Sequence, residues 1–177
     1  MWTCDFSNIF GSLLAIQELF LEGWFLQSLS IGDEKRLLPS TYLHLKTISI
    51  ELNVADMNEI LVAIYLLNSS PNLQELNVLL WHDRESAIVP VIDLQEANDQ
   101  LESTFNKLRV VDFSEFLGTE IELLLVRFIL ARSPVLETMI ISHAIQDTRK
   151  VLTLLKGLLR FKRASQQAEI VYLDPAT

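Results

Sequence analysis

Little in this chain is suited to bond-making chemistry. A single cysteine, Cys4, cannot close an internal disulfide. Together with three scattered histidines, His44, His82 and His143, it cannot supply the locally paired ligands of a structural zinc site. There is no glycine-rich phosphate loop, no Gly-x-Ser-x-Gly elbow and no paired-histidine helix. His82-Asp83 and Ser142-His143 are only sequence neighbours, and a catalytic triad is defined by spatial roles. No catalytic residue, metal or cofactor is therefore assigned. Long apolar runs are also missing, since Glu122 and Arg127 break the longest candidate, "TEIELLLVRFILA", so no membrane span is expected. The start, "MWTCDFSNIF", lacks a basic n-region and a small-residue cleavage site. With one cysteine, this predicts a reducing compartment, cytoplasm or nucleus. Cations are scarce as well: 14 Lys and Arg against 23 Asp and Glu give a net charge of −9, which disfavours phosphate-driven nucleic-acid binding.

What is abundant is apolar residues, 50% of the chain, with only five glycines and five prolines among 177 residues. That is a folding composition for one domain. The apolar residues also repeat. "SSPNLQEL" at 69–76 returns as "RSPVLETM" at 132–139, an offset of 63, and the same offset lays Leu45, Ile48 and Ile50 on Leu108, Val111 and Phe113. It also lays Glu59 on Glu122 and Leu67 on Leu130. Each half reads strand, helix, Ser-Pro turn, strand. Within each half the strands share Leu-x-x-Leu-x-Leu, starting at 45, 73, 108 and 136, preceded by a copy at Ile16, Leu19 and Leu21. A frayed sixth copy is read at Ala168, Val171 and Leu173. Spacings of 28 to 35 residues fit leucine-rich repeats with one long interval.

Alternate strand residues then stack from repeat to repeat while the helices cover their apolar side. Asp56 is placed to cap one helix, and Thr119 with Glu122 forms a capping box for its counterpart. Pro71 and Pro134 end both helices nearby. The position eight after the first Leu, often Asn in regular repeats, is Asn53 once but Trp24, Trp81, Phe116 and Ala144 elsewhere. The long interval, 81–107, is acidic and proline-broken. It reads as a surface excursion, partly helical near Leu94 to Leu101, and either a tolerated loop or a binding element.

The register names a candidate surface on the concave side of the strands. Its polar members are Glu18, Glu22, Thr47, Ser49, Glu51, Glu75, Asn77, Asp112, Ser114, Thr138 and Ser142, with Phe20, Leu79, Val110 and Ile140 among them. None of the fifteen is basic and five are acidic, so the face attracts cations. Two readings are open: a docking surface for a basic protein segment, or a solvated face that maintains solubility. Residues 149–163 carry six cations and no acid, leaving −15 on the remainder. Their interleaved leucines predict an amphipathic helix that closes the stack, with anionic-membrane or calmodulin-like binding as the other reading.

The segments "LPSTYLHLKTISIELNVADMNEILVAIYLLNSSPNLQEL", "NKLRVVDFSEFLGTEIELLLVRFILARSPVLETMII" and "LLKGLLRFKRASQQAEIVYLDP" resemble plant F-box proteins with leucine-rich repeats and a C-terminal FBD region. The resemblance runs from about Leu38 and is most specific from Leu108 to Asp174. It implies an α/β fold, an irregular leucine-rich-repeat solenoid of five to six repeats. Residues 1–104 would be repeats, and 105–177 an FBD region continuing the stack. It further implies the substrate-binding part of an SCF-type ubiquitin ligase, truncated and without its F-box. Leu38-Pro39 does not mark one, because it runs directly into the strand at Leu45. The partners expected are a protein substrate, basic if the acidic face binds it, and a Skp-type adaptor and cullin where a full-length protein supplies the F-box. Neither nucleic acid nor membrane is expected. The alternative is a non-ligase scaffold or competitor, or a degenerate gene product.

Overall fold

The computed structural model describes residues 13–31, 41–82, 104–144 and 148–173. After a 3-10 turn at Leu13–Ala15, the chain runs β1 (Glu18–Leu21), α1 (Gly23–Ile31), β2 (Thr47–Asn53), α2 (Met57–Asn68), β3 (Glu75–Trp81) and β4 (Val110–Phe116). It continues through α3 (Glu120–Arg132), β5 (Thr138–His143), α4 (Thr148–Leu158) and β6 (Glu169–Leu173). The described strands form one parallel sheet in sequence order. This is the repeat solenoid the spacing predicts, an α/β fold in which α1, α2, α3 and α4 each occupy a crossover.

The ladder aligns Leu19, Ile48, Leu76, Val111, Met139 and Ile170 in one row, and Leu21, Ile50, Val78, Phe113, Ile141 and Tyr172 in the next. From β1 to β5 these side chains are buried. An apolar void of about 20 Å³ between Ile50, Leu76, Val78 and Phe113 on one side and Ala63, Leu67, Leu125 and Phe128 on the other shows both layers meeting. A space that small leaves the core closely packed.

The repeated Ser-Pro has a physical cause. Ser70 and Ser133 are buried. Ser70 Oγ donates to Leu66 O at 2.7 Å, and Ser133 Oγ to Ile129 O at 2.8 Å. Each serine thus satisfies a carbonyl that a helix end would leave without a partner. The preceding carbonyls are satisfied too: Ser69 O accepts from Tyr42 N at 2.6 Å, and Arg132 O from Phe105 N at 2.8 Å. The chain then turns into the next strand, with Leu73 N donating to Ser70 O at 3.1 Å and Leu136 N to Ser133 O at 3.3 Å.

Helix starts follow the expected caps. Asp56 Oδ1 accepts from Asn58 N at 2.8 Å, and Thr119 with Glu122 forms a reciprocal box. Glu59 and Glu122 do more than cap, because both are fully buried. Glu59 Oε2 accepts from Asn53 N at 3.0 Å, while Glu122 accepts from Leu117 N at 3.2 Å and Thr119 N at 2.7 Å. Each carboxylate ties a strand end to the following helix. The other oxygens differ. Glu122 Oε1 lies 3.3 Å from His82 Nε2, whereas Glu59 Oε1 has no hydrogen-bond partner. Four residues after Val78 stands His82; four after Leu21, the β1 member of the same row, stands Phe25, whose ring offers no hydrogen-bond donor.

Two expectations are corrected. In the sixth copy Ile170 and Tyr172, not Val171 and Leu173, take the inward positions, as Met139 pairs with Ile170 and Ile141 with Tyr172. A one-residue slip exchanges the two faces, and "IVYL" is apolar at every position, so the pattern could not choose between registers. The basic helix does not terminate the stack: α4 is the crossover between β5 and β6, and β6 forms the edge. Its Leu154 and Leu158 join the core while Leu152 and Leu159 remain exposed. A further irregularity lies in β4, where one extra residue interrupts the pairing between Phe113 and Phe116, and Glu115 takes φ 62°. Of the excursion expected at 81–107, residues 83–103 with the Leu94–Leu101 helix lie outside the described residues, as does Leu38-Pro39; Trp81 ends β3.

Leu76 lies at the middle of the sheet with no exposure. Leu76→Ala is expected to cost about 2–5 kcal/mol in urea unfolding, and Leu152→Ala, on the exposed side of α4, less than about 0.5 kcal/mol. A second expectation concerns pH. Burial pushes the Glu59 carboxyl from 4.5 to about 7, opposed by the Asn53 amide and aided by the Asp56 charge. An acid raised in the folded state contributes fully below its unfolded pKa, and that contribution is lost as pH rises towards the folded value. Between pH 4.5 and 7 the wild type should therefore lose up to about 3 kcal/mol that Glu59→Gln does not lose. Paired urea titrations across that range measure the difference.

Candidate protein-interaction face

The residues between the buried rows lie on the sheet's open face. One row there runs Glu18, Thr47, Glu75, Val110, Thr138 and Glu169, and the next runs Phe20, Ser49, Asn77, Asp112, Ile140 and Val171. A third row pairs Glu51 with Leu79 and Leu79 with Ser114, and beyond the bulge Ser142 pairs with Leu173. Parallel pairing with alternate side chains on each face produces these rows.

The expected site residues divide into two groups. Ser49, Glu51, Asn77, Asp112 and Ser114, with Phe20 and Leu79, line a shallow concavity of about 350 Å³ over β1 to β4. Glu18, Thr47 and Glu75 lie in the row beside it, and Glu22 follows β1 immediately. Thr138 and Ser142 stand apart on β5, among Ile140, Val171 and Leu173. The acids predicted for this face thus gather at the β1 to β4 end.

Hydrogen bonds order this end. Asn77 Nδ2 donates to Ser49 Oγ at 3.2 Å and to Glu75 Oε1 at 3.1 Å, and Ser114 Oγ donates to Asp112 Oδ1 at 3.4 Å. Among the described residues no cation is paired with Glu18, Glu22, Glu51, Glu75 or Asp112. Burial pushes the Asp112 carboxyl above its ordinary range; the Ser114 hydroxyl opposes that rise and the Glu75 charge adds to it. This concentration of negative charge favours a cation approaching from solvent.

Sequence reasoning placed Phe20 on this face but missed the two indoles beside it. Trp24 is 63% exposed, Phe20 62% and Trp81 37%, exposures unusual for such large side chains. The Trp81 indole lies against Gly23, with Nε1 3.0 Å from where a Cβ would stand. Gly23 N donates to Glu51 Oε2 at 3.2 Å, and Trp24 Nε1 donates to Glu22 Oε2. The available signal was Trp24 and Trp81 at the position eight after the first repeat residue, where a buried Asn was expected. The histidines serve elsewhere: His44 is exposed, His82 approaches Glu122, and His143 stacks on Tyr172 at 4.6 Å.

A family profile described as the At1g61320/AtMIF1 LRR domain matches residues 13–167. The chain is 34% identical over 170 residues to the F-box/FBD/LRR-repeat protein At1g13570 of Arabidopsis thaliana. That alignment takes in 93% of this chain and 40% of the relative, so the chain spans less than half the relative's length. No solved structure matches. Among the described residues no helix is long and apolar enough to cross a membrane.

If Asp112 serves recognition, the fold should not need its charge. Asp112→Asn is expected to melt at the same temperature as wild type or higher near neutral pH, because it removes a partly desolvated carboxylate beside Glu75. A clear drop in melting temperature would assign the carboxylate to the fold.

Proposed function

The chain belongs to the plant F-box/FBD/LRR-repeat family through its At1g61320/AtMIF1-type leucine-rich repeats, and from that premise we propose that it is the substrate-recognition part of an SCF-type ubiquitin ligase receptor. A leucine-rich-repeat stack is a protein-interaction module, and the family names point to binding, not catalysis. The observation that carries the reading is the open face from β1 to β4. It combines a shallow concavity, acids with no paired cation among the described residues, and exposed aromatic side chains on a rigid sheet. A rigid platform of this kind favours recognition because little order is lost on binding.

In this proposal the captured protein presents a basic segment to the face. The Skp-type adaptor and cullin join through an F-box carried with the repeats, and the complex acts in the cytoplasm or nucleus. The repeats choose the target, and the ubiquitin chemistry takes place on other subunits.

The test is co-purification from plant cells of the chain joined to an F-box. One version carries the wild-type face and another carries Glu51→Lys, Glu75→Lys and Asp112→Lys together. The wild type should bring down Skp and cullin with a specific protein whose ubiquitination rises; the charge-reversed version should keep Skp and cullin but lose that protein. Recovery of a specific protein whose ubiquitination does not change would instead support a non-ligase scaffold. Partners unaffected by the charge reversal would refute the open face as the binding surface.

A further inference from the structure

At one corner of the open face, a carboxylate and an indole converge on the same backbone. Glu51 Oε2 accepts from Gly23 N at 3.2 Å, and the Trp81 indole packs against that glycine with Nε1 3.0 Å from the position of a Cβ. Trp81 reaches this point from β3, past the Asn53 end of β2, because Trp81 and Asn53 are ladder partners. Glu51 uses one oxygen on the Gly23 amide, and Glu22 uses one on the Trp24 indole. The second oxygen of each remains available to an incoming donor. Phe20 and Leu79, 62% and 43% exposed, border the concavity alongside.

A lysine would bring a compact point charge that can approach the indole or the carboxylate but has no planar fork to engage both at once. An arginine matches both components, because its planar guanidinium stacks on an indole while its N–H groups bond a carboxylate. Apolar residues on either side of it would find Phe20 and Leu79. We propose that the corner formed by Trp81, Gly23 and Glu51 holds an arginine of an extended basic segment in the protein partner. The guanidinium stacks on Trp81 and bonds Glu51, and a neighbouring apolar side chain rests on Phe20 and Leu79. This rests on the open face being the recognition surface and adds the identity of the residue recognised there.

Gly23 gives a way to disturb the corner without removing a ring. Its φ is not in the left-handed region, so Gly23→Ala suits the start of α1, but the new Cβ must push the indole aside. The probes are short fluorescein-labelled peptides of alternating leucine with arginine, lysine or citrulline, measured by fluorescence anisotropy. The wild type should bind the arginine peptide about tenfold tighter than the lysine peptide, and the neutral citrulline peptide more weakly still. Trp81→Ala should abolish the arginine preference, Trp81→Phe should keep part of it, and Gly23→Ala should reduce it without lowering the melting temperature. Equal affinity for arginine and lysine, or no binding of either, would overturn the proposal. So would a preference that survives Trp81→Ala. If binding depends on Glu51, Glu75 and Asp112 but not on Trp81, the open face stands and the corner falls. Concentration-dependent self-association that Trp81→Ala removes would assign the corner to a second copy's basic α4 segment and also overturn it.

Discussion

Every strand in this sheet runs parallel to its neighbour, so the chain must cross back between strands, and each inward side chain must land beside the one before it. The ladder makes this alignment explicit from its first rung. Lys46 N donates to Gln17 O, Gln74 N to Lys46 O, Arg109 N to Gln74 O, Glu137 N to Arg109 O and Glu169 N to Glu137 O, all at 2.7 to 2.9 Å. Once that rung is set, alternation buries Leu19, Ile48, Leu76, Val111 and Met139 together. The long interval between β3 and β4 does not disturb it, since Glu75 still meets Val110 and Leu76 meets Val111. The entropy of closing a chain segment grows only slowly with its length, so a wider sequence interval between paired strands is tolerated.

Keeping that alignment requires each helix to begin and end at a fixed place, and buried polar side chains do this. Ser70 and Ser133 bond the last helical carbonyls, and Glu59 and Glu122 bond the amides at strand ends. These groups are costly to bury unless bonded, so each selects one geometry of the turn. Glu59 and Glu122 also show how copies diverge. The same carboxylate meets His82, which follows β3, in one repeat and leaves an oxygen without a partner in the other.

Features with a local signature were legible in the sequence: the leucine rows, the Asp56 and Thr119 caps, and the Ser-Pro turns. Each follows from residues within one or two repeats. Features that depend on which repeat lies beside which were not. The β6 register escaped because "IVYL" has no polar residue to mark its open side. The role of α4 escaped because a basic amphipathic pattern does not say whether another strand follows it in the sheet. The split of the open face into an acidic end and an apolar end around Ile140 and Val171 was partly visible in the list of residues. The concavity was not, since it depends on Phe20, Ser49, Asn77 and Asp112 being neighbours across separate strands.

The position eight after each first repeat residue explains why the aromatic corner lies where it does. At Asn53 that position is buried; the amide oxygen accepts from Ala55 N at 3.0 Å and the backbone N–H is bonded to Glu59. Phe116 occupies it in β4 and is buried as well, displaced by the bulge that brings it opposite His143. Trp24 and Trp81, in the repeats on either side of Asn53, remain exposed. An indole is too large to take the place of an asparagine within a strand-end turn, so it must leave the core. The turn at Asn53 is held by its own side chain, by Glu59 and by the backbone of the neighbouring copy, where the Trp81 carbonyl accepts from Val54 N at 3.1 Å. These bonds use the Trp81 backbone and neither indole, and both indoles lie within reach of the acids of the open face. Irregularity in the repeat, which weakens it as a pattern, is what places large aromatic side chains at the surface beside Glu22 and Glu51.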